Sequence, residues 1–168
     1  MKVLFLDIDG VLNSIAWMKA GNSNADWPVG HLDPVAVARL NRLITLSGAK
    51  VVLSSTWRLG PEPEYGVAGT LRALRKVGFA HDFIGRTASL HRDPDGMPLY
   101  RGDEIQSWLT ETAVLGEPLV EGICILDDDS DMAHLLPWLV KTDNEVGLTD
   151  AIVDAALVML NRPGPSTV

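Results

Sequence analysis

Val3-Leu4-Phe5-Leu6-Asp7-Ile8-Asp9-Gly10-Val11-Leu12-Asn13 runs four apolar residues straight into two carboxylates two positions apart. An unbroken aliphatic and aromatic run, without alternation, suits a strand covered on both faces, as in a parallel sheet. Two further runs stop in the same abrupt way. Residues 51–53 end at Ser54-Ser55-Thr56, and residues 123–126 end at Asp127-Asp128-Asp129-Ser130-Asp131. Residues 83–85 and 138–141 are additional strand candidates.

Helical patterns fall between these runs. Asp33-Pro34 opens one, with Asp33 as a cap and Pro34 at the first helical position. Val37, Leu40, Leu43 and Ile44 form its apolar stripe, and Gly48 sits where a C-terminal cap belongs. Residues 66–77 and 101–112 read as two more helices, the latter burying Ile105, Trp108 and Leu109. Segments 132–136 and 149–160 complete the helical set. Strand–helix alternation of this kind predicts an α/β fold: a doubly wound, Rossmann-like parallel sheet. Ligands bind such sheets beyond the carboxyl ends of the strands, where the strand order switches. All three polar clusters lie at those ends.

The chain of 168 residues is 46% hydrophobic, enough for a buried core in one domain over residues 1–160. Residues 161–168 read as a flexible tail, since Pro163, Gly164 and Pro165 suit neither helix nor sheet. With 14 basic and 22 acidic residues the net charge is −8, which argues against a sequence-blind nucleic-acid coat but leaves a nucleotide end open as substrate. The single cysteine, Cys124, lies in an apolar run and reads as a buried hydrophobe. The N-terminal apolar stretch is too short for a signal peptide, and nothing approaches a membrane span of about 20 residues. A cytoplasmic protein is expected, with no membrane partner.

Two carboxylates just beyond a buried strand are costly unless something compensates them. One could cap a turn while the other is solvated. The second cluster makes that hard to sustain, because four carboxylates in five residues would repel one another in an empty cleft. A hard divalent cation resolves the repulsion, and Mg²⁺ takes one or two carboxylates, waters and substrate phosphate. Gly10 permits the turn that brings the second carboxylate of the first cluster round. One of the pair can then attack phosphorus while the other manages the leaving group's proton. Ser54 and Ser55 offer hydroxyls and backbone N–H groups to phosphate oxygens, and Arg101 offers a fixed charge at a helix start.

In this order the motifs resemble the haloacid dehalogenase (HAD) superfamily of phosphatases. The stretch 7–12 resembles its first motif, which implies Asp7 as nucleophile and Asp9 as general acid/base. Residues 51–54 resemble the second, implying that Ser54 holds a phosphate oxygen. Arg101 stands where the third usually has lysine, and Lys141 is the other candidate for that role. Residues 125–131 resemble the fourth, implying Mg²⁺ ligands led by Asp127, with Asp128 or Asp131 as partner beside Asp7 and Asp9. A narrower likeness, to small HAD domains associated with RNA-repair assemblies, rests on Ser54-Ser55-Thr56-Trp57-Arg58, Arg101-Gly102-Asp103-Glu104-Ile105 with Trp108-Leu109, and residues 125–129. It implies a phosphorylated small molecule or nucleic-acid end as substrate.

The segment 13–31 is too short for a large helical cap, so a minimal cap or short flap is expected there, with Trp17, Met18 and Trp27. Trp57 and Arg58 either stack on a base and grip a second phosphate, or cover the core edge and pair at the surface. At most one of His31, His81, His91 and His134 is expected at the site, and 91–96 reads as a turn. Two other readings compete with the enzyme. One is a receiver-like signalling domain that traps phosphate, and the other is a degenerate HAD fold that binds without turnover. Surface patterning does not fix an oligomeric state.

Overall fold

The computed structural model describes residues 1–22, 28–60, 66–90, 99–116 and 118–165. Trp27, the turn read at 91–96 and the last three tail residues lie outside them. The described residues form a five-stranded, all-parallel sheet: β1 (Lys2–Leu6), β2 (Lys50–Leu53), β3 (Phe83–Arg86), β4 (Gly122–Asp127) and β5 (Leu139–Lys141). Their spatial order is β3-β2-β1-β4-β5. Each strand falls on a run expected from the sequence. The helices are α1 (Ile15–Lys19), α2 (Pro34–Ser47), α3 (Gly66–Lys76), α4 (Arg101–Val114) and α5 (Asp150–Met159).

The three inner strands, β1, β2 and β4, are covered on both sides, which is why their interiors are apolar, whereas the edge strands β3 and β5 alternate in exposure. Leu4, Leu6, Cys124 and Leu126 pack with Val37, Leu40, Leu43 and Val153 from α2 and α5. Val3, Phe5, Ile123 and Ile125 pack with Ile105 and Leu109 of α4 and with Met132 and Leu135. Burial pushes the Cys124 thiol upward, in keeping with a core residue. Trp108 and Phe5 meet in a T-shaped arrangement, 5.4 Å between ring centroids. Asp33 caps α2 by accepting from the Val35 N–H at 2.8 Å. Gly48 closes the same helix at φ 66°, a left-handed conformation that glycine adopts without penalty.

Two segments depart from the sequence reading. Residues 133–138 form a 3₁₀ turn with Pro137 inside, not an α-helix, because Pro137 has no N–H to donate to an α-helical ladder. Segment 13–31 contains a helix that the sequence did not announce, α1. Ile15 and Ala16 donate to the carbonyls of Asn144 and Glu145, and Trp17 Nε1 donates to Gly30 O at 3.2 Å. At the other end of the chain, Gly164 N–H donates to Glu121 O and Trp138 Nε1 to Pro163 O. No helix among the described residues is long and apolar enough to cross a membrane.

Candidate active site

The switch in strand order lies between β1 and β4. Leu6 pairs with Leu126 across that boundary, and the Asp7 N–H donates to Leu126 O at 2.9 Å. The backbone therefore delivers Asp7 and Asp127 side by side at the carboxyl ends of the two central strands, where open α/β sheets bind ligands.

Asp7, Asp127 and Asp128 each offer a carboxylate oxygen within 4.8 Å of the others. Asp7 is 6% exposed and Asp127 1%. Burial pushes the Asp7 carboxyl up to about 6, against a hydrogen bond from Ser55 and the charge of Arg101. Burial and the neighbouring Asp7 push Asp127 up to about 7. Burial also raises Asp128, with Asp129 and Asp9 as like-charged neighbours. Asp127 Oδ1 accepts from the Asp129 N–H at 2.9 Å, whereas the buried Oδ2 has no hydrogen-bond donor among the described residues. The Arg101 Nε lies 3.7 Å from that oxygen. An orphaned carboxylate oxygen within a converging acidic triad fits a divalent cation with oxygen ligands.

The linkage has a definite sign. Two acids whose folded-state values lie above their unfolded value of 3.8 bind more protons in the native state between about pH 4 and 7. Cation-free protein should therefore lose stability as pH rises through that window. A cation that replaces the protons should stabilise more at pH 8 than at pH 5, the gain at pH 8 being about 2.7 kcal/mol when it is present at 100 times its Kd there. Melting temperatures in chelator and in Mg²⁺ at the two pH values check this; an equal gap at both would contradict it.

The other expected residues divide. Ser55, fully buried, hydrogen-bonds the Asp7 carboxyl. The Ser54 hydroxyl instead lies 3.5 Å from Thr87 Oγ1, while Ser54 O accepts from Arg101 Nη1 at 2.6 Å. Arg101 thus sits over both β2 and the acids, with its charge felt at Asp7 and Asp127. Lys141 donates to Ser130 Oγ at 2.8 Å and acts electrostatically on Asp128. Asp131 lies outside the acidic triad. Its carboxylate accepts from the Arg101 N–H at 3.3 Å and its carbonyl from Gly102, so it serves the start of α4. Gly102 allows that approach, since a Cβ there would fall 2.0 Å from Met132 O. Asp9 stands apart from the triad as well: Oδ1 accepts from Asn13 Nδ2 at 2.8 Å, and Trp57 Nε1 lies 3.1 and 3.0 Å from Oδ1 and Oδ2.

Neither functional reading of Trp57 and Arg58 holds. Trp57 is 6% exposed, so its ring is closed to a base. Arg58 is 2% exposed and donates to Thr87 O, Ser55 O and Ala88 O and to Glu104 Oε2 at 2.6 Å. Burial lowers its pKa, opposed by the Glu104 charge. The pair ties the Ser54–Ser55 loop to α4. Nothing in the local sequence marks Trp57 or Glu104 as partners, although Asn13, four residues beyond Asp9, was a visible hint. His31 borders a cleft of about 300 Å³ with Asp9, Asn13, Met18 and Asp128. A second cleft, of about 210 Å³, lies on the Arg101 side, lined by Thr56, Leu59 and Tyr100.

A family model described as the HAD domain in Swiss Army Knife RNA repair proteins matches residues 3–153. No curated protein matches the chain. One solved structure is similar over 97% of this chain and 85% of its own, at 16% identity and a TM-score of 0.41.

Proposed function

We propose, from the premise that this chain belongs to the family of HAD domains in Swiss Army Knife RNA repair proteins, that it is a Mg²⁺-dependent phosphomonoesterase working through an aspartyl-phosphate on Asp7. The observation that carries this reading is the buried triad of Asp7, Asp127 and Asp128 beside the Arg101 guanidinium.

An Asp7 oxygen attacks phosphorus, the bond to the substrate's alcohol oxygen breaks, and Asp9 gives that oxygen its proton. Asp9, now a carboxylate, takes a proton from water as the water oxygen attacks phosphorus. The acyl-phosphate bond then breaks, which frees phosphate and restores Asp7. Arg101 and the backbone around Ser54 and Ser55 stabilise the phosphoryl oxygens. Asp7, the Asp9 carbonyl, Asp127 and Asp128 would hold Mg²⁺, which supplies charge neutralisation at the transferring group. Asp128 is preferred over Asp131 as ligand because Asp131 is engaged at the start of α4.

The substrate in this reading is a nucleotide or a polynucleotide end phosphate, reached through a site with no large cap among the described residues, and the setting is cytoplasmic. Phosphate release from an aryl phosphate, with Mg²⁺ and with chelator, tests the chemistry. Repeated release that needs Mg²⁺ supports it. Stoichiometric trapping of phosphate from acetyl phosphate would favour a receiver-like domain, and binding without release a degenerate one.

A further inference from the structure

Asp9 is the one carboxylate of the first cluster that the acidic triad leaves out, and its surroundings are specific. Asn13 Nδ2 donates to Oδ1 at 2.8 Å, and the Trp57 indole N–H bridges Oδ1 and Oδ2 at 3.1 and 3.0 Å. Asn13 is held in turn, because its Oδ1 accepts from the Gly10 N–H at 2.9 Å. Trp57 is fixed by burial and by its place in the 3₁₀ turn that Ser55 caps.

We infer that Trp57 is the positioning residue for proton transfer by Asp9, leaving Oδ2 as the oxygen that carries the transferable proton. The inference rests on the phosphatase reading above. A carboxylate has about four lone-pair sites. Oδ1 accepts from both Asn13 and Trp57, whereas among the described residues Oδ2 accepts only the shared indole N–H. Oδ2 therefore keeps the capacity to bind and release a proton. An indole N–H donates but does not accept, so it cannot compete for that proton at any working pH. The arrangement also links two steps in space. Trp57 follows Ser54-Ser55-Thr56 directly, so the loop beside the phosphoryl group also sets the orientation of the acid.

Loss of orientation should show only where the leaving oxygen needs a proton. A nitrophenolate departs without one, whereas an alkoxide does not. The ratio kcat/KM covers steps up to departure of the leaving group and excludes hydrolysis of the acyl phosphate. We expect Trp57→Phe to lower kcat/KM for glycerol phosphate about tenfold, a fraction of the ~10²–10⁴ that general acid catalysis contributes. The value for 4-nitrophenyl phosphate should change by less than about threefold. Asp9→Asn should show the same selectivity, more strongly. Equal losses on both substrates, or no loss on either, overturn the positioning role. If Trp57→Phe unfolds, benzothienylalanine at position 57 keeps the ring's shape without the N–H and is judged by the same ratio. Wild-type protein inactive on both substrates and on phosphorylated oligonucleotides overturns the parent reading, and the inference with it.

Discussion

Protein carrying Asp7→Asn is expected to fold, to melt no lower than wild type in chelator, and to release phosphate at least ~10⁴-fold more slowly, the scale on which loss of a covalent nucleophile acts. The two halves of this expectation come from the same burial. Asp7 is 6% exposed beside Asp127, and its carboxyl is pushed up to about 6. At neutral pH the cation-free protein therefore holds a buried negative charge facing another acid. An asparagine of nearly the same shape removes that charge. It retains the backbone bond to Leu126 O and an oxygen for the Ser55 hydroxyl. What it cannot do is attack phosphorus, because an amide oxygen is a poor nucleophile and offers no stable acyl-phosphate. Phosphate release and a thermal melt on one preparation decide the matter. Activity within about tenfold of wild type would remove Asp7 from the chemistry. A sharply lowered melting temperature would instead mark it as a structural carboxylate.

The second large effect lies away from the reacting atoms. Glu104→Ala should destabilise the fold by about 3 kcal/mol, at the lower end of the ~3–5 kcal/mol seen when one partner of a buried ion pair is removed. Arg58 would keep its carbonyl acceptors on Ser55, Thr87 and Ala88 but lose the only carboxylate it bonds among the described residues. The Leu90 N–H, which donates to Glu104 Oε1 at 3.0 Å, would lose its acceptor too. Urea unfolding at neutral pH measures the change. The double substitution Glu104→Met with Arg58→Met should recover much of the loss, since a buried pair replaced by apolar residues of similar volume is often neutral. A Glu104→Ala loss below about 1 kcal/mol would show that water reaches the pair.

The sheet was legible because its inner strands are buried on both faces, so those apolar runs stand out and end sharply at their polar clusters. The caps of α2 were legible for a local reason: Asp33, Pro34 and Gly48 act on backbone within four residues of themselves. Asp7, Asp127 and Asp128 could be gathered at one crevice from strand ends, but the exclusion of Asp9 and Asp131 from that triad could not. What sequence spacing does not encode is the direction of a side chain over a long separation. Trp57 reaches Asp9 across 48 positions and Arg58 reaches Glu104 across 46. Trp57 was read as stacking on a base or covering the core edge and Arg58 as gripping a phosphate or pairing at the surface; both are buried. Likewise Ser54 and Ser55 are adjacent, and only the twist of the chain after β2 turns the second one toward Asp7. Asp128 and Asp131 were equivalent in composition; the difference is that Asp131 meets the first turn of α4.

The central strand of the sheet is the first to be made and one of the last to be completed. Lys2 pairs with Gly122, and Asp7 donates to Leu126. A ribosome adding ~5–20 residues per second needs on the order of ten seconds to pass from one to the other. Through that interval β1 can pair with β2 on one side only, its other edge open to aggregation or to a chaperone. A nascent chain stopped at Glu121 should accordingly show no saturable Mg²⁺ binding by calorimetry. Tight binding by that fragment would mean that the first acids suffice. The order of synthesis keeps Asp127 and Asp128 from Asp7 until β4 has joined the sheet.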